Sequence, residues 1–107
     1  MDLETMVFTI IANSGDARSS SMEAIGHARN GEFDKAKACL DEANKKLLLV
    51  HSEQTKLIQA EAQGQETKLS LLFVHAQDHL MSAMTVRDLA GEFIELYRIM
   101  NISRGQL

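Results

Sequence analysis

Apolar and small residues recur along the chain at alternating steps of three and four, the period of one helix face, in three separate stretches. The first, about residues 2 to 29, sets Leu3, Val7, Ile10, Ser14, Ala17, Ser21, Ala24 and Ala28 on one seam that turns small and polar midway. Gly15 is expected to weaken this helix. The second, about 32 to 62, is a cleaner amphipathic helix, with Phe33, Ala36, Leu40, Ala43, Leu47, Val50, Gln54 and Leu57 on one side and charges on the others. The third, about 66 to 102, places Leu69, Leu72, Ala76, His79, Ala83, Val86, Ala90, Phe93, Tyr97 and Met100 on its seam. Between the three lie Asn30-Gly31, where both residues tolerate positive φ, and the polar stretch Ala62-Gln63-Gly64-Gln65.

The third stretch is also apolar away from its seam, at Phe73, Val74, Leu80, Met81 and Met84. A helix apolar on all sides must be covered on all sides, and two companions in one chain cover only part of it. The pattern therefore predicts an all-α, antiparallel up-down bundle of three helices, each of roughly 45 Å, that assembles with further copies of itself. Closed cyclic symmetry is the natural arrangement. Residues 1 to 107 form a single domain, and Gly105 onward reads as a frayed tail.

Composition agrees with helices: 45% of residues are hydrophobic, but only 5% are aromatic and none is proline, so Leu, Ile, Val, Met and Ala must fill the core. The net charge of -4 offers no basic stripe for nucleic acid or an anionic membrane. No apolar run approaches the roughly 20 residues of a membrane span, and the start Met1-Asp2-Leu3-Glu4 lacks a basic signal region. A cytoplasmic protein is expected. The single cysteine, Cys39, has no partner for an internal disulfide and reads as a small core or boundary residue.

One feature breaks the apolar pattern. Between Leu71-Leu72-Phe73-Val74 and Met84 sits His75-Ala76-Gln77-Asp78-His79-Leu80-Met81-Ser82. Positions three, four and seven apart share a helix face, so His75, Asp78, His79 and Ser82 project together while Gln77 points away. Buried polar groups need hydrogen bonds, counter-charges or a metal. A purely structural account makes His79 a hydrogen-bonded core histidine with Asp78 fixing a tautomer. Three chemical accounts compete with it. A zinc-peptidase spacing is mimicked by His75, Asp78 and His79, but a further ligand and a cleft are missing. A histidine phosphotransfer domain would follow its histidine as H-x-x-K-G, but Asp78 and His79 stand at those last two positions, so a carboxylate replaces the neutralising lysine. In a phosphocarrier, neutral His75 attacks a phosphoryl group while neighbours orient the ring.

The segments Asn13-Ser14-Gly15-Asp16-Ala17-Arg18-Ser19, Gln54-Thr55-Lys56-Leu57-Ile58 and above all Val74-His75-Ala76-Gln77-Asp78-His79-Leu80-Met81 resemble the lactose/cellobiose enzyme IIA family of the bacterial phosphotransferase system. The resemblance covers nearly the whole chain. It implies that His75 is phosphorylated on Nε2, that Gln77, His79 and Ser82 are candidate orienting groups, and that no organic cofactor is bound. It implies too that Asp78 is a metal ligand, three copies meeting on the axis of a homotrimer around one divalent ion, magnesium. Three converging carboxylates repel at short range, which a hard cation offsets. By the same resemblance the donor is the phosphohistidine carrier HPr and the acceptor a cysteine of enzyme IIB. The membrane component is met only indirectly. Alanine at position 76 inclines the sugar toward cellobiose or chitobiose over lactose. The rival from another class is a non-catalytic trimeric bundle with a structural metal at Asp78, which leaves His75 without a task.

Overall fold

Three helices, α1 (Leu3–Arg29), α2 (Phe33–Ala62) and α3 (Leu71–Ser103), account for nearly all of the computed structural model, in which residues 2–66 and 68–105 are described. They run up, down and up in a bundle measuring 58 × 21 × 19 Å. The central helix is α1, packed on both α2 and α3, which touch each other less. No strand occurs among the described residues, and no described helix is long and apolar enough to cross a membrane.

Two of the three helices, α1 and α3, begin at a side-chain cap. Asp2 caps α1 by accepting from the Thr5 N–H at 2.8 Å, and Ser70 caps α3 by accepting from the Phe73 N–H at 3.1 Å. The Ser70 cap corrects the expected start of α3 at residue 66. Its backbone is extended, at φ -136° and ψ 160°, so Lys68 and Leu69 precede the helix. Leu69 is 75% exposed and gains no burial within the protomer that would favour a longer helix. Residue 67, inside the predicted helix, lies outside the described residues. Between α1 and α2 the chain turns through Gly31 at φ 78°, a conformation that favours glycine.

The interface helices meet on very small side chains. Ala17, Ala24 and Ala28 of α1, Ala36 and Ala43 of α2, and Ala76, Ala83 and Ala90 of α3 are all buried. Around them Val7, Ile10, Leu47, Val50, Phe73 and Leu80 fill the core at the end of the bundle that holds the α3 N-terminus. The predicted α1 seam is buried from Val7 to Ala28. Gly15 does not interrupt α1, because Ser14 and Ala17 on either side are held in the core.

On α3 the buried stripe differs from the predicted seam. It follows Phe73, Ala76, Leu80, Ala83, Ala90 and Ile94, while Leu72 and Phe93 are more than 40% exposed. Ala76, Ala83 and Ala90 belong to both stripes, and α1 and α2 leave a further apolar side of α3 uncovered. Val74, Met81, Leu96 and Ile99 are each about half exposed on the uncovered side. Of the expected tail, Gly105 lies in a turn at φ 70°, and residues 106 and 107 lie outside the described residues.

The turn at Gly31 carries an ion cluster. His27 Nδ1 lies 3.1 Å from Glu32 Oε1, and Lys35 Nζ lies 3.0 Å from Glu32 Oε2. The hydrogen bond from His27, followed by that from Lys35, lowers the Glu32 pKa below its ordinary 4.5. A carboxyl with a depressed folded pKa stabilises the fold above the unfolded value and loses that contribution as the pH falls through the folded one. Acid titration from pH 4.5 downward, followed by circular dichroism in urea, is therefore expected to show a loss of stability that is reduced in Glu32→Gln.

Candidate functional site

The polar face of α3 is formed by side chains that the helix projects away from its buried stripe. Phe73, Ala76 and Leu80 anchor α3 in the core, so the positions between them are turned outward. His75, Asp78 and Ser82 are exposed and His79 is half-buried. The sequence pattern suggests a polar cluster inside the protein; within the protomer it stands on the surface, among exposed Leu71, Leu72, Val74 and Met81.

His75 and His79 come together. Their Nε2 atoms are 3.0 Å apart, and the rings meet edge to face at 86° with centroids 4.4 Å apart. One ring must donate and the other accept. If His79 donates its Nε2–H, His75 carries its proton on Nδ1 and keeps an Nε2 lone pair, which is the nucleophilic tautomer. His79 lies one turn C-terminal of His75, and the His75 Nε2 atom faces it.

Asp78 and Ser82 share the exposed surface but form no hydrogen bond or ion pair with the histidines. Asp78 sits between Val74 and Met81 as a carboxylate without a partner among the described residues. No group of three His, Cys, Asp or Glu side chains suited to a metal occurs among the described residues, so one chain alone does not enclose an ion there. Ser82 lines a groove between α1 and α3 with Arg18, Met81, Thr85 and Val86.

Gln77 points the other way, as its position predicts. Its Oε1 accepts from Gln54 Nε2, and Gln54 is buried on α2. Gln54 therefore reaches Gln77 and not the histidine face. The amide pair ties α2 to the turn of α3 that bears His75 and Asp78. Arg18 and Asp16 do not pair: Asp16 is held by Lys46 at 3.1 Å. Burial, and then the nearby Glu23 carboxylate, hold the Cys39 thiol above its ordinary pKa. The sequence pattern did not predict the place of Arg18 beside Ser82, although Arg18 belongs to one of the segments that carry the family resemblance.

Residues 5–98 match the family model described as PTS system, Lactose/Cellobiose specific IIA subunit. The chain is 49% identical over 104 residues to the lichenan-specific phosphotransferase enzyme IIA component of Bacillus subtilis, spanning 97% of this chain and 94% of that protein. Its fold matches the crystal structure of the PTS cellobiose-specific enzyme IIA from Bacillus anthracis with a TM-score of 0.89 at 45% identity, covering 95% of this chain and 94% of that one. It also matches the IIA(Chitobiose) solved in complex with HPr, from the N,N'-diacetylchitobiose branch of the Escherichia coli phosphotransferase system. There the TM-score is 0.81 at 42% identity, covering 94% of this chain and 98% of the other. With a family match across the helical body and close structural agreement, this chain belongs to the lactose/cellobiose-specific IIA subunits of the phosphotransferase system.

Proposed function

We propose that this IIA subunit carries a phosphoryl group on His75 Nε2, received from phospho-HPr and delivered to a cysteine of enzyme IIB during uptake of a β-linked disaccharide, cellobiose or chitobiose before lactose. The observation that carries this reading is the exposed His75 ring whose Nε2 meets His79 Nε2 at 3.0 Å. The E. coli relative solved with HPr supports the donor. The chain acts in the cytoplasm, and the membrane component takes part only through enzyme IIB.

The chemistry is a reversible displacement at phosphorus. The His75 Nε2 lone pair forms the new P–N bond as the donor's P–N bond breaks. The donor leaves as neutral imidazole, and His75 becomes a phosphoimidazolium that retains its Nδ1 proton, so no net proton moves. In the second step a thiolate forms the P–S bond and His75 departs neutral. Exposure suits this relay, because two proteins must bring reacting atoms in line with one nitrogen. His79 holds the reactive tautomer before transfer and donates its Nε2–H to a phosphoryl oxygen afterwards.

The working assembly is a homotrimer. Its support is the uncovered apolar side of α3, which a lone protomer would leave in water. Asp78 fits a shared metal site, since a carboxylate without a partner on an apolar face needs a counter-charge once copies converge. One oxygen-seeking divalent ion per trimer, magnesium, bound by Asp78 from each copy, would offset that repulsion.

Incubation with phosphoenolpyruvate, enzyme I and HPr tests the proposal by intact mass. The expected product gains one acid-labile phosphoryl group per chain and loses it when enzyme IIB is added. Folded protein that gains none would overturn the phosphocarrier reading in favour of a structural metal-bound bundle.

A further inference from the structure

Beyond the histidine pair, the α1–α3 groove contains a cation that the relay as described does not use. Arg18 is exposed and forms no ion pair or side-chain hydrogen bond among the described residues, since Asp16, two positions before it, is held by Lys46. It lines the groove with Ser82 and Val86, which continue the α3 face of His75 and His79 at steps of three and four. Helices α1 and α3 run parallel, and side chains on a helix lean toward its N-terminus. Arg18 therefore leans back along α3 toward His79, whose Nε2 meets His75 Nε2 at 3.0 Å.

We infer that Arg18 is the anion-holding residue of this site, its guanidinium engaging the oxygens of the phosphoryl group carried on His75. This rests on the phosphocarrier reading. Phosphorylation adds about two negative charges next to Asp78, in a chain whose net charge is already -4. His79 supplies one hydrogen bond. A planar fork of N–H donors matches three phosphoryl oxygens and is suited to sharing their charge. Ser82, across the groove, has a hydroxyl able to donate to the same oxygens.

The test compares wild type, Arg18→Gln, Arg18→Lys and, as a control of equal charge change at the far end of the bundle, Lys35→Gln. Phosphoryl uptake from phospho-HPr is followed by rapid quench over a range of HPr concentrations, and the phosphorylated proteins are examined by 31P NMR. The expected result is a fall in the maximal rate of about 10- to 100-fold in Arg18→Gln, a displaced phosphohistidine resonance, partial recovery in Arg18→Lys and wild-type behaviour in Lys35→Gln. An unchanged maximal rate and resonance in Arg18→Gln, alongside normal uptake by wild type, would overturn the assignment of Arg18 alone. An effect confined to the HPr concentration dependence would also overturn it, by making Arg18 a docking residue. No uptake by wild type would overturn the phosphocarrier reading, and this inference with it.

Discussion

His75→Ala is expected to abolish phosphoryl acceptance while leaving the folded assembly intact. The ring is on the protomer surface, and its one hydrogen-bond partner among the described residues is His79, itself half-buried. Nothing in the core depends on it. Alanine favours helix more than histidine does, and exposed substitutions away from caps and networks stay within about 0.5 kcal/mol. Circular dichroism and sedimentation velocity should therefore match wild type. Intact mass after exposure to phospho-HPr should show no added phosphoryl group. The separation matters because a purely structural bundle would be unaffected by either measurement. Residual uptake by His75→Ala would point to His79 as the acceptor and would reverse the roles assigned to the two rings.

Leu80→Ala is expected to have the largest effect on stability. Leu80 is fully buried in the cluster with Ile10, Leu47, Val50 and Phe73. Truncating a buried leucine typically costs about 2–5 kcal/mol, the cost rising as the site fails to collapse. The surroundings resist collapse here, since Ala17, Ala43, Ala76 and Ala83 already bring the helix backbones together on short side chains. The upper half of that range is therefore expected. Urea unfolding at fixed protein concentration should show a lower midpoint with an unchanged slope. Leu48→Ala, at a position 72% exposed, is the control and should shift stability by about 0.5 kcal/mol or less. A Leu80→Ala protein as stable as that control would contradict the packing described for α3.

How far the sequence foretold this molecule depends on what each residue competes against. The α1 seam was legible almost position by position, because serine and alanine alternate with clear polar faces and only one side could be buried. The α3 seam was not. Leu72 and Phe93 are as apolar as Phe73 and Ile94, so spacing alone could not decide which diagonal faces α1 and α2. The α3 start was missed because Leu69 extends the apolar period, whereas the Ser70 cap sets the first residue of the helix through one hydrogen bond. At the site, steps of three and four rightly grouped His75 with His79 and set Gln77 apart. They did not reveal that Gln77 finds Gln54, or that Arg18 stands beside Ser82, because contacts between helices depend on axial offset and not on periodicity.

The most direct test of the central claim is a long-range 1H–15N correlation spectrum of 15N-labelled protein, recorded before and after phosphorylation through HPr. A single imidazole is expected to become phosphorylated, that of His75, with the phosphoryl group on Nε2 and the proton on Nδ1. A phosphoryl group on His79, or on His75 Nδ1, would contradict the geometry from which the function has been argued.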